Sequence, residues 1–132
     1  MIRVGTADDL ARVEAIQTAA PEAARWPVAD YMGYSFRVAE REGIVAGFAV
    51  WRGVGEGEWE LLNLAVDPAF RRRGVARELL AAMPEGRVFI EVREGNMAAR
   101  RLYETSGFTV LGTRRGYYQS PAEDGIVMER QK

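Results

Sequence analysis

The sequence contains no cysteine and no histidine, and its only lysine is the last residue, Lys132. These absences exclude disulfides, thiol nucleophiles, imidazole bases and the usual zinc ligands. They also exclude a lysine that could form a Schiff base or bind phosphate in a P-loop. Carboxylates, tyrosines and backbone groups are left for acid–base chemistry, and we expect no bound metal.

The sequence also lacks a long apolar run, since none approaches the ~20 residues that span a bilayer. Its first residues do not show the basic and then apolar pattern of an export signal. A net charge of −1 gives no general attraction to nucleic acid. We therefore expect a cytoplasmic protein that binds neither membranes nor nucleic acid directly. A length of 132 residues fits one domain, 1–132.

The apolar pattern predicts a chain that alternates between strands and helices, in the order β-α-loop-β-β-β-α-β-α-β-β. The loop, residues 21–34, has room for one short helix. A strand, a glycine-bounded turn, a helix and a strand predict a right-handed crossover between two parallel strands. The predicted strands are 1–4, 36–40, 44–52, 59–66, 88–93, 108–112 and 125–130, and the predicted helices are 7–19, 74–83 and 96–105.

The most informative segment is residues 61–76, which reads L-L-N-L-A-V-D-P-A-F-R-R-R-G-V-A. An apolar strand leads through a turn into three arginines and Gly74, at the start of a helix. Unpaired N–H groups at a helix N-terminus, together with the helix dipole, favour an anion such as a pyrophosphate. A solvated basic turn with an ordinary glycine is the alternative reading of the same letters.

A second segment, residues 91–108, reads E-V-R-E-G-N-M-A-A-R-R-L-Y-E-T-S-G-F. Asn96 is a typical helix N-cap, and Tyr103 follows seven residues later on the same helix face, ~10 Å away. The alternative for Tyr103 is a half-buried core tyrosine with a satisfied hydroxyl. Glu91 lies on the strand before this helix, and Arg87 and Arg93 beside it are candidates for a surface ion pair.

Together these two segments resemble the GNAT family of N-acetyltransferases. Arg71, Gly74 and Ala76 fill the family motif Q/R-x-x-G-x-G/A, and residues 96–108 resemble its N-x-x-A-x-x-L-Y-x-x-x-G-F signature. The run before the loop and the R-R-G-Y-Y sequence at 114–118 are similar to the RimI branch, which acetylates protein N-termini. The resemblance covers residues 61–128 well and 1–35 poorly.

The resemblance implies an α/β (α+β) GNAT fold, with a mixed central sheet of about seven strands and flanking helices. It also implies acetyl-CoA as the acetyl donor and a protein N-terminus as the acceptor, with Glu91 as proton acceptor and Tyr103 as proton donor. Tyr117 and Tyr118 would line the acceptor groove, although β-propensity alone also explains them. The implied cofactor-binding residues are Leu64, Ala65, Val66, Arg71, Arg72, Arg73, Gly74, Val75, Ala76, Arg77 and Asn96.

The acceptor is the least determined part of this interpretation. A small amine or a lysine side chain could replace the protein N-terminus, and a non-catalytic acyl-CoA-binding module is a third alternative. Only 13 residues separate Arg77 from Glu91, so the helix between them is about two turns shorter than is usual in the RimI branch. Gln119 stands where the family often has proline. We expect a monomer or a weak dimer.

Overall fold

The computed structural model describes residues 1–119 and 122–132, and in those residues the predicted order of elements is confirmed. Short 3-10 turns lie at Ala7–Asp9, Val28–Gly33 and Pro68–Phe70. The helices are α1 (Leu10–Ala19), α2 (Val75–Ala81) and α3 (Met97–Thr105). The strands are β1 (Ile2–Val4), β2 (Ser35–Arg41), β3 (Ile44–Gly55), β4 (Glu58–Val66), β5 (Arg87–Arg93), β6 (Thr109–Gln119) and β7 (Ala122–Gln131).

Several predicted boundaries were wrong. The helix after the phosphate loop ends at Ala81 rather than near Met83, because Pro84 and Gly86 follow closely. The first predicted helix begins with a 3-10 turn, so α1 itself starts at Leu10. The closing hairpin of β6 and β7 is much longer than predicted, because the two strands pair again from Tyr118 to Gln119 after a register shift that follows Arg114, although most of β6 is exposed.

The seven strands form one mixed sheet with the order β1-β2-β3-β4-β5-β7-β6. The neighbours β4 and β5 are parallel, as the predicted crossover requires, and every other neighbouring pair is antiparallel. Residues Leu61 to Val66 are all buried. The apolar run therefore becomes the middle strand of the sheet, covered on both faces as its lack of alternation predicted.

Each face of the sheet carries its own hydrophobic core. Val13 and Ile16 of α1 pack with Tyr31 against one face. Leu79 of α2 and Tyr103 of α3 pack against the other. A Cβ atom on Gly47 of β3 would lie 2.8 Å from the Ala65 carbonyl oxygen and 2.9 Å from a Val75 methyl group. Glycine at that position therefore lets α2 lie close to the sheet.

The pairing between β4 and β5 stops after three residue pairs, of which Glu60 and Phe89 are the last. Beyond that point β4 stays paired with β3, and β5 stays paired with β7. The two parallel strands therefore diverge and leave an opening in the middle of the sheet. In the part of the chain that the structure describes, no helix is long and apolar enough to cross a membrane.

Candidate active site

A cleft of about 800 Å³ lies in the opening between β4 and β5. Five of the residues singled out by the sequence line it together: Glu91, Asn96, Tyr103, Tyr117 and Tyr118. Residues that the sequence did not single out also line it, among them Glu22, Tyr34, Arg52 and Asn63. The topology thus gathers side chains from β5, α3 and β6 at one place.

The edge of β4 presents backbone N–H groups to this opening. The N–H of Val66 donates to the Glu22 carboxylate at 3.0 Å, and the N–H of Leu64 donates to the Asn63 side-chain oxygen at 3.0 Å. Because alternate residues of a strand point their N–H groups to opposite sides, Ala65 directs its own N–H toward β3. Two of the three predicted backbone positions therefore face the opening.

The predicted phosphate loop lies at the start of α2, and among the described residues the walls of the cleft do not include 71–77. Gly74 is the N-cap of α2, with φ +74, and Arg72 also has a positive φ, of 63. Such angles favour glycine and turn successive N–H groups toward one side. The Arg71 guanidinium lies 3.3 Å from Glu22, and Arg73 stacks on the Phe70 ring at 5.1 Å.

The Glu91 side chain is 15% exposed, and it points away from the core residues Val88, Ile90 and Val92 of its own strand. Its ion pair is with Arg114 of β6, whose Nε lies 3.2 Å from Glu91 Oε1. Oε1 is buried, and within residues 1–119 and 122–132 no donor meets it with good hydrogen-bond geometry. A carboxylate held in this way keeps acceptor capacity for a ligand in the cleft.

Asn96 caps α3, since its side-chain oxygen accepts a hydrogen bond from the Ala99 N–H at 3.0 Å. Its amide nitrogen lies 3.4 Å from the Glu22 backbone oxygen. The cap occupies the carbonyl end of the side chain, so the NH₂ end is the part of Asn96 that can donate toward the cleft.

Tyr103 is buried, with 2% of its surface exposed, and its ring packs edge-to-face on Phe108 at 5.3 Å between centroids. Burial, and to a smaller extent the negative charge of Glu22, raise the pKa of Tyr103 well above its ordinary value. The hydroxyl therefore stays protonated and remains a donor at any physiological pH. Tyr103 therefore contributes to the hydrophobic core through its ring and also lines the cleft.

Tyr117 and Tyr118 lie edge-to-face with 5.1 Å between their ring centroids, and the Tyr118 ring also carries the Arg93 guanidinium at 4.2 Å. The charge of Glu91 is the main cause that raises the pKa of Tyr117. Burial raises the pKa of Tyr118 to about 12. Both tyrosines are therefore neutral walls of the cleft on the side of Glu91.

A buried polar network fixes the wall opposite α3. The Asn63 amide nitrogen, which carries two protons, lies 2.8 Å from the Ala24 carbonyl oxygen, 3.0 Å from the Tyr31 hydroxyl and 3.1 Å from Gln17 Oε1. The Asn63 oxygen accepts from the Ala24 N–H at 3.0 Å. Asn63 is the one polar residue of the apolar run in β4, but nothing in the nearby sequence marked its partners.

The described residues contain no group of three or more aspartates and glutamates that could hold a metal ion. The donors that converge on the cleft are instead backbone N–H groups, an amide and a phenol, which suit a neutral or anionic organic ligand with carbonyl groups. The opening beside β4 also has room for an extended chain that would pair with Leu64 and Val66.

Comparison with known proteins places these features in a family. The model of the acetyltransferase (GNAT) family matches residues 8–108. The [ribosomal protein bS18]-alanine N-acetyltransferase of Haemophilus ducreyi is 34% identical over 104 residues, which are 71% of this chain and 70% of that protein. The chain spans 70% of the length of this relative and 22% of the length of another curated relative, an uncharacterized protein of Mycobacterium leprae.

Solved structures agree with the sequence match. The ribosomal-protein-S18-alanine N-acetyltransferase of Escherichia coli superposes with a TM-score of 0.79 at 30% identity, covering 99% of this chain and 92% of that one. Ard1 of Thermoplasma volcanium superposes with a TM-score of 0.84 at 29% identity, covering 99% of this chain and 96% of that one. With its mixed sheet, its opening between β4 and β5 and its two sequence motifs, the chain belongs to the GNAT family of acetyltransferases.

Proposed function

We propose that this protein transfers the acetyl group of acetyl-CoA to the N-terminal α-amine of a protein, by direct attack of the amine in a ternary complex. The observation that carries the proposal is the cleft itself. It brings Glu91, Asn96 and Tyr103 together beside β4, where the N–H groups of Leu64 and Val66 donate to side chains. These are the groups that acyl transfer from a thioester to an amine needs.

For the donor, we propose that Leu64 and Val66 pair with the pantetheine arm as a neighbouring strand would. Residues Arg71 to Arg77 then lie where the arm reaches the start of α2, and their N–H groups hold the pyrophosphate. The NH₂ group of Asn96 donates to an amide carbonyl of the arm. A backbone N–H at Ala65 or Val66 is the candidate donor to the carbonyl oxygen as it becomes negative. Because Ala65 faces β3, Val66 is the better placed of the two, and the atom that it pairs with in the bound cofactor is then the thioester carbonyl oxygen.

For the acceptor, the amine must attack as a free base. An α-amine has an ordinary pKa near ~7.8, against ~10.4 for a lysine side chain, so its deprotonation at neutral pH costs about 3.5 kcal/mol less. A weak base is therefore sufficient. We assign that role to Glu91, which accepts the proton of the attacking nitrogen through an ordered water.

For the leaving group, the C–S bond breaks and the departing sulfur needs a donor. The Tyr103 hydroxyl supplies a hydrogen bond, and the raised pKa of this residue makes complete transfer of its proton to a thiolate unfavourable. Solvent can complete the protonation to the free thiol after the C–S bond has broken. The products are an acetylated amine and coenzyme A.

Two features support a protein N-terminus as the acceptor. The named relatives from Haemophilus ducreyi and Escherichia coli act on a ribosomal-protein alanine. Tyr117 and Tyr118 line the cleft beside Glu91, where an extended peptide could contact their rings. We infer an acceptor that begins with a small residue such as alanine, and with it a cytoplasmic location.

The test is an assay of free thiol release from acetyl-CoA with three sets of acceptors. They are an alanine-starting peptide, the same peptide with a blocked N-terminus and an internal lysine, and a panel of polyamines. We expect turnover with the first alone. Turnover with the blocked peptide or a polyamine would assign the lysine or small-amine alternative instead. Binding of acetyl-CoA without turnover on any acceptor would assign a non-catalytic module.

A further inference from the structure

The segment between α1 and the following 3-10 turn, residues 20–26, places one carboxylate inside the opening of the sheet. The Glu22 side chain is 8% exposed. One of its oxygens accepts the Val66 N–H at 3.0 Å, and the other lies 3.3 Å from the Arg71 guanidinium. The glutamate thus contacts both an N–H group of β4 and the first arginine of the phosphate loop.

We propose that Glu22 is a latch that occupies part of the acetyl-CoA site in the free protein and is displaced when acetyl-CoA binds. This inference rests on the proposed function, because Val66 and Arg71 are the groups assigned there to the pantetheine arm and the pyrophosphate. An N–H group with one proton cannot serve the carboxylate and the cofactor together. Bound acetyl-CoA and a closed latch therefore exclude each other.

The rest of the segment stays anchored when the carboxylate leaves. Both backbone polar groups of Ala24 bind the Asn63 side chain, and the Trp26 carbonyl accepts from Gln17 at 2.7 Å. Displacement therefore requires a change of side-chain rotamer at Glu22 and no unfolding of the segment. Such a change is fast compared with catalytic turnover.

The apparent affinity for the cofactor equals the affinity of the open site multiplied by the fraction of time that the latch is open. If the latch is open about one time in ten, the apparent Kd is about tenfold higher than that of a permanently open site. The same closing competes with the product coenzyme A, so it favours product release.

The test is a calorimetric measurement of acetyl-CoA affinity for three forms of the full chain: wild type, Glu22→Ala and Glu60→Ala. Glu60 is the matched control, because it is a carboxylate of the same cleft that pairs with Arg52 at 2.7 Å and does not contact Val66. We expect about tenfold tighter binding by Glu22→Ala and unchanged binding by Glu60→Ala. An unchanged or weaker affinity of Glu22→Ala would overturn the latch.

Equal tightening in both variants would also overturn it, since loss of one negative charge from the cleft would then be the whole effect. A wild-type protein that binds no acetyl-CoA at all would instead contradict the proposed function. If Glu22→Ala does not fold, Glu22→Gln keeps the volume and a neutral acceptor, and we expect about threefold tighter binding. In the free protein, the Val66 amide proton signal should move upfield in Glu22→Ala; a fixed signal counts against the hydrogen bond.

Discussion

Replacement of Tyr103 by phenylalanine removes the proposed donor to the leaving sulfur and keeps the ring that packs on Phe108. The structure sets the expected size of the effect. Burial raises the pKa of Tyr103, so its proton does not pass fully to a thiolate whose own acid has a pKa near ~8.5. The lost interaction is then a hydrogen bond to a charged group, about 1.5 to 3 kcal/mol, or about 10- to 100-fold in kcat.

The assay is steady-state thiol release with the alanine-starting peptide, together with the Kd for acetyl-CoA. We expect a lower kcat and a Kd that changes little. Tyr34→Phe is the matched control, because it removes another tyrosine hydroxyl from the same cleft. An unchanged kcat in Tyr103→Phe would refute the donor role. A loss beyond 10³-fold would show that full proton transfer matters, as in general acid catalysis.

The same reasoning predicts the alkaline side of the pH profile. A tyrosine donates only while it is protonated, and the raised pKa of Tyr103 keeps it protonated as the pH passes through the ordinary tyrosine value of ~10. We therefore expect that ionisation of Tyr103 does not lower the kcat of the wild-type protein near pH 10. The contrary result would be a fall in kcat near pH 10 that the wild type shows and Tyr103→Phe does not. Such a loss would mean that the hydroxyl is more solvated than the structure shows.

Three further predictions concern other parts of the site and the fold. Gly74→Asp adds a negative charge at a residue with φ +74 and open space around it, so its Kd for acetyl-CoA should rise at least tenfold more than that of Gly74→Ala; equal values in a binding titration would contradict the pyrophosphate assignment. Asn63→Leu leaves the buried Leu64 N–H without its acceptor and removes the hydrogen bonds to residue 24, so the free energy of unfolding measured in urea should fall by about 3 kcal/mol. A fall of less than about 0.5 kcal/mol would contradict the stabilising role of the network. Arg3 lowers the pKa of Asp9 from 3.8 to about 2, so the pair stabilises the fold above pH 4, and that contribution, about 2 kcal/mol, disappears as the pH falls through 2. The unfolding free energy of Asp9→Asn should lack this acid dependence, and parallel curves of stability against pH for the variant and the wild type would contradict the assignment.

The sequence predicted best those features that depend on neighbours along the chain. The apolar run of β4 indicated a central strand, and Gly74 and Asn96 indicated the starts of α2 and α3. Positions near a turn or a cap carry their own chemical signature, since φ sign and capping oxygens are local properties. The spacing of Asn96 and Tyr103 likewise predicted a shared helix face, and both residues line the cleft.

Features that depend on distant residues were not predictable in this way. Glu22 is buried because the chain brings it to Val66, 44 residues away. The ion-pair partner of Glu91 is Arg114, which lies two residues beyond Gly112, where the sequence pattern ended a strand that in fact continues to Gln119. The long hairpin of β6 and β7 escaped the pattern because cross-strand pairing, rather than burial of alternate side chains, holds its exposed strand.

The short junction between β4 and β5 has a consequence for how the molecule holds together. Among the described residues, only the three residue pairs from Glu58–Arg87 to Glu60–Phe89 join the meander β1–β4 to the group of β5, β7 and β6 by strand pairing. A substrate that pairs with β4 inside the opening would act as a cross-brace between these two half-sheets. The acetyl donor would then stabilise the fold while it is bound, and this stabilising contact would be lost and formed again in each catalytic cycle.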